Sequence, residues 1–344
     1  MKLKPVIASY SGEAYSGIQR FLTEEVLEVI AAIAQQPRSR YGIPPGMLAE
    51  LVEMHVLKED GQLVRLNTAV FTQYDIESIQ KAVEPMANEL ARLIIANGPA
   101  FQDAPPSVTI FLAGIIGYVQ GIGARLSQKT EIWEWKRYTG KYAQSKVDFN
   151  ENCAAYDAMG PDYLSKTVLQ GGRFTAVFIG PGEGNFQSII HTMDPSGWGQ
   201  PDAGRLRRYL VDAFARLVLG EIQDEALLAA AEKAGLYEGG RPKTAVITRE
   251  LLEQYAPDVQ AIMEAVSSYA EQIYPDLEAL LRTTASGRQG VPPANMMMNL
   301  WRYIRRLAVK KLFESGFFKG SIPPDGCVTV FYENNVELIW QVLL

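Results

Sequence analysis

Cysteine and histidine are the side chains best suited to nucleophilic and proton-transfer work near neutral pH. This chain of 344 residues has two of each. Cys153, in NENCAAYD, is a candidate nucleophile with His191 as its base. His191 and Asp194, in HTMD, could also act as an acid/base pair or as metal ligands. Gly180-Pro181-Gly182-Glu183-Gly184 stands where a phosphate cradle would follow a strand. Each feature has a plainer reading. A lone cysteine is more often a small buried thiol. With His55 far upstream, no histidine-rich metal site is expected. The glycine stretch lacks the Lys-Ser/Thr ending of a P-loop, does not match GxGxxG, and carries Glu183 where phosphate would lie, so a hairpin turn is expected. Asp148, Glu151, Asp157 and Asp162 crowd one stretch, but their spacing misses the EF-hand loop, and a solvated loop is expected. No catalytic residue, metal or cofactor is assigned.

The strongest charge pattern is basic. In NMMMNLWRYIRRLAVKKLFESGFF, Met297, Leu300, Trp301, Ile304, Leu307, Ala308 and Leu312 recur at helical spacing and should bury. Arg302, Arg305, Arg306 and Lys310 fall largely off that stripe, and Lys311 borders it. They would form a positive surface for DNA phosphates, anionic lipid or an acidic partner, or a solvated face paired with neighbouring acids. Arg205, Arg207 and Arg208 make a second basic knot. The whole chain carries a net charge of −6, so binding nucleic acid would require such a local patch.

These residues need elements to position them. Length alone favours two domains over one core. Hydrophobic residues at 47% and charged residues at 21% exclude wholesale disorder. The cysteines, Cys153 and Cys327, are far apart and no CxxC occurs, which excludes a disulfide framework and a zinc ribbon. The N-terminal stretch MKLKPVIASYSGEAYSG has no apolar run of about 7–15 residues, so no signal peptide is expected and a reducing cytoplasm is. Residues 104–124 lack charge, and Gly117 and Gly121 form GxxxG; their prolines, Gln120 and glycines favour a buried helix over 108–126 rather than a membrane span.

Helices are expected at 23–35, with Thr23 as N-cap, at 75–96 with a kink at Pro85, at 202–219, at 224–234 and at 295–317. Over 250–282 one or two helices should break near Pro257 and Pro275. Between 44 and 57 a short helix leads through Val56-Leu57 into a turn at Glu59-Asp60-Gly61. The following strand would place Val64 and Leu66 on one face and Leu63, Arg65 and Asn67 on the other. Residues 173–193 read as two strands joined at Gly180–Gly184, Thr244 to Ile247 as a short strand, and the C-terminal tail as a hairpin turning at Asn334-Asn335. Asn97-Gly98-Pro99 is a strong helix stop.

Across roughly residues 20–97 the order is helix, loop, helix, Asp-Gly hairpin, trailing helix. Its carriers are Leu48, Leu51, Val52, Val56, Leu57, Asp60-Gly61, Leu63 and Leu66, standing as LxxLVxxxVLxxDGxLxxL. This segment resembles the winged-helix superfamily found in many bacterial transcription regulators. It departs in one respect: winged helices usually carry two short helices before the hairpin, and GIPPGMLAELVEMHVL is mostly one. The resemblance implies a module that binds DNA, docks or dimerises. Base readout needs Arg, Lys, Asn or Gln on the reading helix. Here it carries Glu50, Glu53 and His55. Arg38, Arg40, Lys58 and Arg65 flank it and could contact a phosphate backbone.

An α+β fold is therefore expected. A winged-helix-like domain would occupy 1–98, and a larger, mostly helical ligand- or partner-binding domain with β-hairpins would occupy 99–344. The function that follows is a non-enzymatic regulatory or interaction protein, in one form a transcriptional regulator sensing a ligand or partner through the second domain. Its partners would be DNA through backbone contacts, another protein or a second copy of the chain, and no membrane. The alternative is an enzyme of unknown class with its site near Cys153, Gly180–Gly184 and His191.

Overall fold

Period-2 burial and tight turns set the strands of this protein, and 3.6-residue stripes set its helices. The computed structural model describes residues 1–9, 12–104, 142, 145–158, 166–179, 203–244, 246–319 and 328–334. The helices are α1 (Gly12–Phe21), α2 (Glu24–Gln35), α3 (Pro45–Glu53), α4 (Gln73–Asn97) and α5 (Ala154–Ala158). They continue with α6 (Ala203–Val218), α7 (Glu225–Lys233), α8 (Arg249–Arg282), α9 (Ala285–Arg288) and α10 (Pro293–Glu314). The strands are β1 (Leu3–Ser9), β2 (Arg38–Ser39), β3 (Leu57–Asp60), β4 (Leu63–Leu66), β5 (Val70–Phe71) and β6 (Ser145–Glu151). They continue with β7 (Lys166–Gly171), β8 (Phe174–Ile179), β9 (Tyr237–Glu238), β10 (Arg241–Pro242), β11 (Val246–Ile247) and β12 (Val328–Glu333).

The fold is α+β, mostly helical with small sheets. Among the described residues no helix is long and apolar enough to cross a membrane. The helix expected at 108–126, the turn at Gly180–Gly184, and the second arm of the C-terminal hairpin lie outside the described residues. Contacts divide the chain into two interleaved units. One comprises Met1–Leu90, Gly121–Gly160 and Ser267–Leu307, the other Ala91–Gln120, Pro161–Val266 and Ala308–Leu344.

In the first unit, β1 pairs antiparallel with β6 from Leu3↔Glu151 to Ser9↔Ser145, and β5 pairs parallel on its other side. Pro5 has no N–H to give a ladder, and β1 is an edge strand, where that costs least. A separate antiparallel sheet has the order β2-β4-β3. Asp60↔Leu63 closes its hairpin, so the loop is Gly61-Gln62, one residue beyond the expected centre, with Gly61 at φ +63. Val64 and Leu66 are buried and Leu63 is exposed, as the alternation requires. Helix α2 packs on β4 and buries Val26, Ile30 and Ile33. Thr23 precedes α2 in extended geometry, but its side chain makes no capping bond.

Helix α3 ends with the amide of His55 bonded to the Val52 carbonyl and that of Val56 to the Leu51 carbonyl. This is the Schellman arrangement, which places its C′ residue in the left-handed region. His55 occupies that position at φ 56. After α7 the equivalent position is Gly235, at φ +71.

Helix α4 is one element with Pro85 inside it. The breaks expected near Pro257 and Pro275 do not occur: α8 is one helix of 34 residues. A proline inside a helix costs about 3 kcal/mol. Along α8, Tyr255, Val259, Ile262, Val266, Ala270, Ile273, Leu277 and Leu281 are all buried. Burying a large apolar side chain contributes about 1.5–3 kcal/mol, so that stripe outweighs both interruptions.

The second unit holds the sheet β11-β12-β8-β7, with β11 parallel to β12 and the other pairs antiparallel. Helix α6 covers β7 and β8, and α7 packs on α6. Phe174, Phe214, Leu210, Leu227, Tyr237 and Phe331 belong to its core. The β7–β8 hairpin, absent from the sequence reading, turns at Gly172-Arg173. There Gly172 has φ +57, and a Cβ would lie 2.3 Å from the Asp212 carboxylate.

Candidate functional site

The hairpin of β3 and β4 brings the four flanking cations into one neighbourhood. Two are already matched by acids of the same hairpin. The Arg40 guanidinium lies 3.1 Å from Glu59, and that of Arg65 lies 2.8 Å from Asp60. Lys58 reaches the Gly290 carbonyl at 3.5 Å. Arg38 is exposed on β2. The neighbouring helix α3 leaves Ala49 and Glu53 exposed, while Glu50 accepts a hydrogen bond from the Tyr142 hydroxyl. Apolar groups sit beside these charges. Tyr41, in the 3-10 turn Arg40–Gly42 that follows β2, is 79% exposed, and Leu63, opposite Ser39, is 39% exposed. The surface therefore offers a phenol and a leucine beside compensated charge. Burial holds the His55 imidazole below its ordinary pKa of 6.5, which favours its neutral form at the end of α3.

The second group of expected site residues lies on α10, and here the structure corrects the sequence reading. The cations do not form one exposed band. Arg306 is 4% exposed, and Arg302, Arg305, Lys310 and Lys311 are half-buried. The Arg306 guanidinium stands 5.0 Å from the centre of the Tyr156 ring, a cation–π arrangement. Lys310 pairs loosely with Glu314 at 3.9 Å. The physical reason is that α10 is buried beyond its apolar stripe, at Asn299, Tyr303 and Arg306 as well. A helical wheel drawn for one covered face cannot show this.

Of the four carboxylates expected in a loop, Asp157 lies in α5 and Asp162 lies outside the described residues. Asp148 and Glu151 lie in β6, and Asp148 is buried. Asp148 accepts from the Thr68 hydroxyl at 2.6 Å and the Ala69 amide at 3.2 Å, and pairs with Lys146 at 2.8 Å. Asn150 takes the Tyr303 hydroxyl proton as acceptor. Burial pushes the Tyr303 phenol well above its ordinary range, so it stays a neutral donor. Cys153 is half-buried just before α5, while His191 and Asp194 lie outside the described residues. The described residues thus give Cys153 no basic partner from the expected constellation.

Sequence reasoning missed two features. The first is a clasp from residues 284–291. Gln289 donates through Nε2 to the Ile33 and Ala34 carbonyls at 2.6 and 3.2 Å, and accepts the Leu66 amide at 3.1 Å. The Ser286 hydroxyl accepts from the Val70 amide at 2.7 Å and donates to its carbonyl at 3.0 Å. These side chains satisfy the end of α2 and the open edges of β4 and β5, which the expected 1–98 segment leaves unpaired. The second is a cavity of about 410 Å³ between the start of α4 and the α8–α9 junction, with Tyr74, Asp75, Ser78, Leu280, Thr283 and Arg288 in its wall. Thr72 three residues before Asp75, a capping spacing, was its one sequence signal.

Compared with known protein families, with curated proteins and with solved structures, the chain matches none.

Proposed function

We propose that this is a non-enzymatic regulatory or interaction protein of the cytoplasm, whose winged-helix-like segment docks another protein surface, a second copy of the chain included. The element order from α2 through β2 and α3 to the β3–β4 hairpin, with sheet order β2-β4-β3, supports the winged-helix reading. The observation that carries the docking reading is the state of the cations. Arg40 and Arg65 are held by Glu59 and Asp60 of the hairpin itself, and α3 offers Glu53 where a base-reading helix needs donors. Exposed Tyr41 and Leu63 supply the apolar contact that protein interfaces use. Arg306 of α10 is left out of this surface because it is buried.

Fluorescence anisotropy on a random-sequence DNA duplex, titrated with salt, tests the proposal. Each phosphate neutralised adds about −0.9 to the slope of log K against log salt. With Arg40 and Arg65 internally compensated, a slope no steeper than about −1 to −2 is expected, and affinity too weak for regulation. A slope near −4, lost on reversing Arg38, Arg40 and Arg65, would establish duplex binding instead. Light scattering of the full chain, with Tyr41→Ser and Leu63→Ser, then shows whether the docked surface is a second copy.

A further inference from the structure

We infer that this chain holds one module twice, and that the two copies share their long helices by exchange, so that they open as one. The stretch Thr68-Ala69-Val70-Phe71-Thr72 recurs as Thr244-Ala245-Val246-Ile247-Thr248. The elements around the two stretches correspond. Helix α2, α3, the β3–β4 hairpin, β5 and α4 follow one another as α6, α7, the β9–β10 hairpin, β11 and α8 do. After α3 and after α7 one residue turns left-handed, His55 and Gly235. The next amide, of Val56 or Leu236, bonds back to the Leu51 or Ala231 carbonyl. Beyond each hairpin an amide returns to that same residue, Asn67 to the Val56 carbonyl at 2.9 Å and Lys243 to the Leu236 carbonyl at 2.8 Å. β5 runs parallel to β6 with Val70 beside Phe149, and β11 runs parallel to β12 with Val246 beside Phe331. An antiparallel strand flanks each on its other side, with Pro5 beside Phe149 and Ala176 beside Phe331. The Thr68 hydroxyl lies 2.6 Å from the Val147 carbonyl oxygen, and the Thr244 hydroxyl meets the carbonyl of Thr329. Val147 and Thr329 both stand two residues before the paired phenylalanine. The Thr72 and Thr248 hydroxyls accept the Asp75 and Leu251 amides, both at 3.2 Å, and so cap α4 and α8 alike. Strand register and hydrogen bonds thus agree far outside the five-residue match.

The copies also exchange segments. The first unit takes in Ser267–Leu307, and the second takes in Ala91–Gln120. Helix α4 therefore begins in the first unit and ends in the second, and α8 begins in the second and ends in the first. Each helix delivers a turn to the unit that receives it. In the first unit, the turn after α8 brings Ser286 to Val70 of β5 and the Ala285 amide to Asp75 at the start of α4. In the second, the turn after α4 stacks Phe101 on Tyr255 near the start of α8, with ring centres 5.0 Å apart. Gly98 passes α8 so closely that a Cβ there would lie 2.7 Å from Ile262. A helix forms and melts cooperatively. Opening one unit frees an end of both long helices, and the other unit then loses the anchoring of the same two helices. The copies should share one opening free energy rather than hold two. This inference does not rest on the docking proposal, and the two sets of experiments share no readout.

Hydrogen exchange of the full-length protein tests it, read at two equivalent amides: Asn67 in the first unit and Lys243 in the second. Thr72→Ala removes the cap of α4 in the first unit, and Thr248→Ala removes that of α8 in the second. A lost cap speeds exchange through the opened state by about fivefold. Each substitution should speed both amides by about that factor. Acceleration confined to the unit that carries the substitution overturns the inference, and so does acceleration at neither amide. The wild-type protein gives a second measurement that needs no variant. Exchange followed through increasing urea should show the two amides losing protection at one shared midpoint; two separate midpoints overturn the inference as well.

Discussion

Replacing Gln289 with methionine keeps nearly the same volume and removes all three hydrogen bonds of the clasp. The Leu66 amide has no strand partner in its place, because β2 pairs only with Val64 and Leu63. Leu66 is fully buried, so its N–H would be left unsatisfied, at a cost of about 1–3 kcal/mol. The Ile33 and Ala34 carbonyls belong to the last turn of α2 and have no acceptor role within the helix. Losing the donor costs about 0.5–1.5 kcal/mol per bond, and methionine returns part of this because it brings no amide to desolvate. The sum is about 3 kcal/mol, roughly a hundredfold in the folded-to-unfolded ratio. Urea unfolding of the full chain, followed by circular dichroism, measures it. Hydrogen exchange should also show the Leu66 amide losing protection. Gln289→Glu should be at least as damaging above about pH 5, since its carboxylate would face carbonyls at the negative end of α2. A loss below about 0.5 kcal/mol for Gln289→Met, with the Leu66 amide still protected, would refute the reasoning, since that is less than one net hydrogen bond.

A fragment of residues 1–98 should show no cooperative unfolding transition in circular dichroism, because it lacks β6, Ser286 and Gln289, which complete its sheets and helix end. Gly172→Ala should destabilise by about 1–2 kcal/mol in thermal unfolding, from the left-handed backbone alone, and more as Asp212 is pushed from the Arg173 amide it binds at 3.0 Å. His55→Gly should stabilise by about 0.5–1 kcal/mol in urea, because glycine adopts positive φ without steric cost but loses more entropy on folding. The same substitution should flatten the pH dependence. The folded His55 pKa lies below 6.5, so the unfolded chain binds the extra proton first, and wild-type stability should fall as pH drops below about 6.5. A wild-type curve that rises over that window would contradict the assignment.

What the sequence determined by itself was local. The stripe Val26, Ile30, Ile33 placed α2, and Asp224 marked the start of α7, where its side chain accepts the Leu227 amide. The alternation of Val64 and Leu66 against Leu63 gave β4 its faces. Each of these signals lies within a few residues and is read from one period or one cap. Only the tertiary structure decided the rest. β1 exists because residues 145–151 pair with it, and neither segment names the other. α8 passes two prolines because neighbours cover its whole stripe. Arg306 is buried because α10 is covered on more than one face, and Gln289 matters because it meets helix and strand ends more than 200 residues away. Hydrogen-bond satisfaction and burial are settled by what lies across the interior, and a one-dimensional pattern carries the period of a face but not the identity of what meets it.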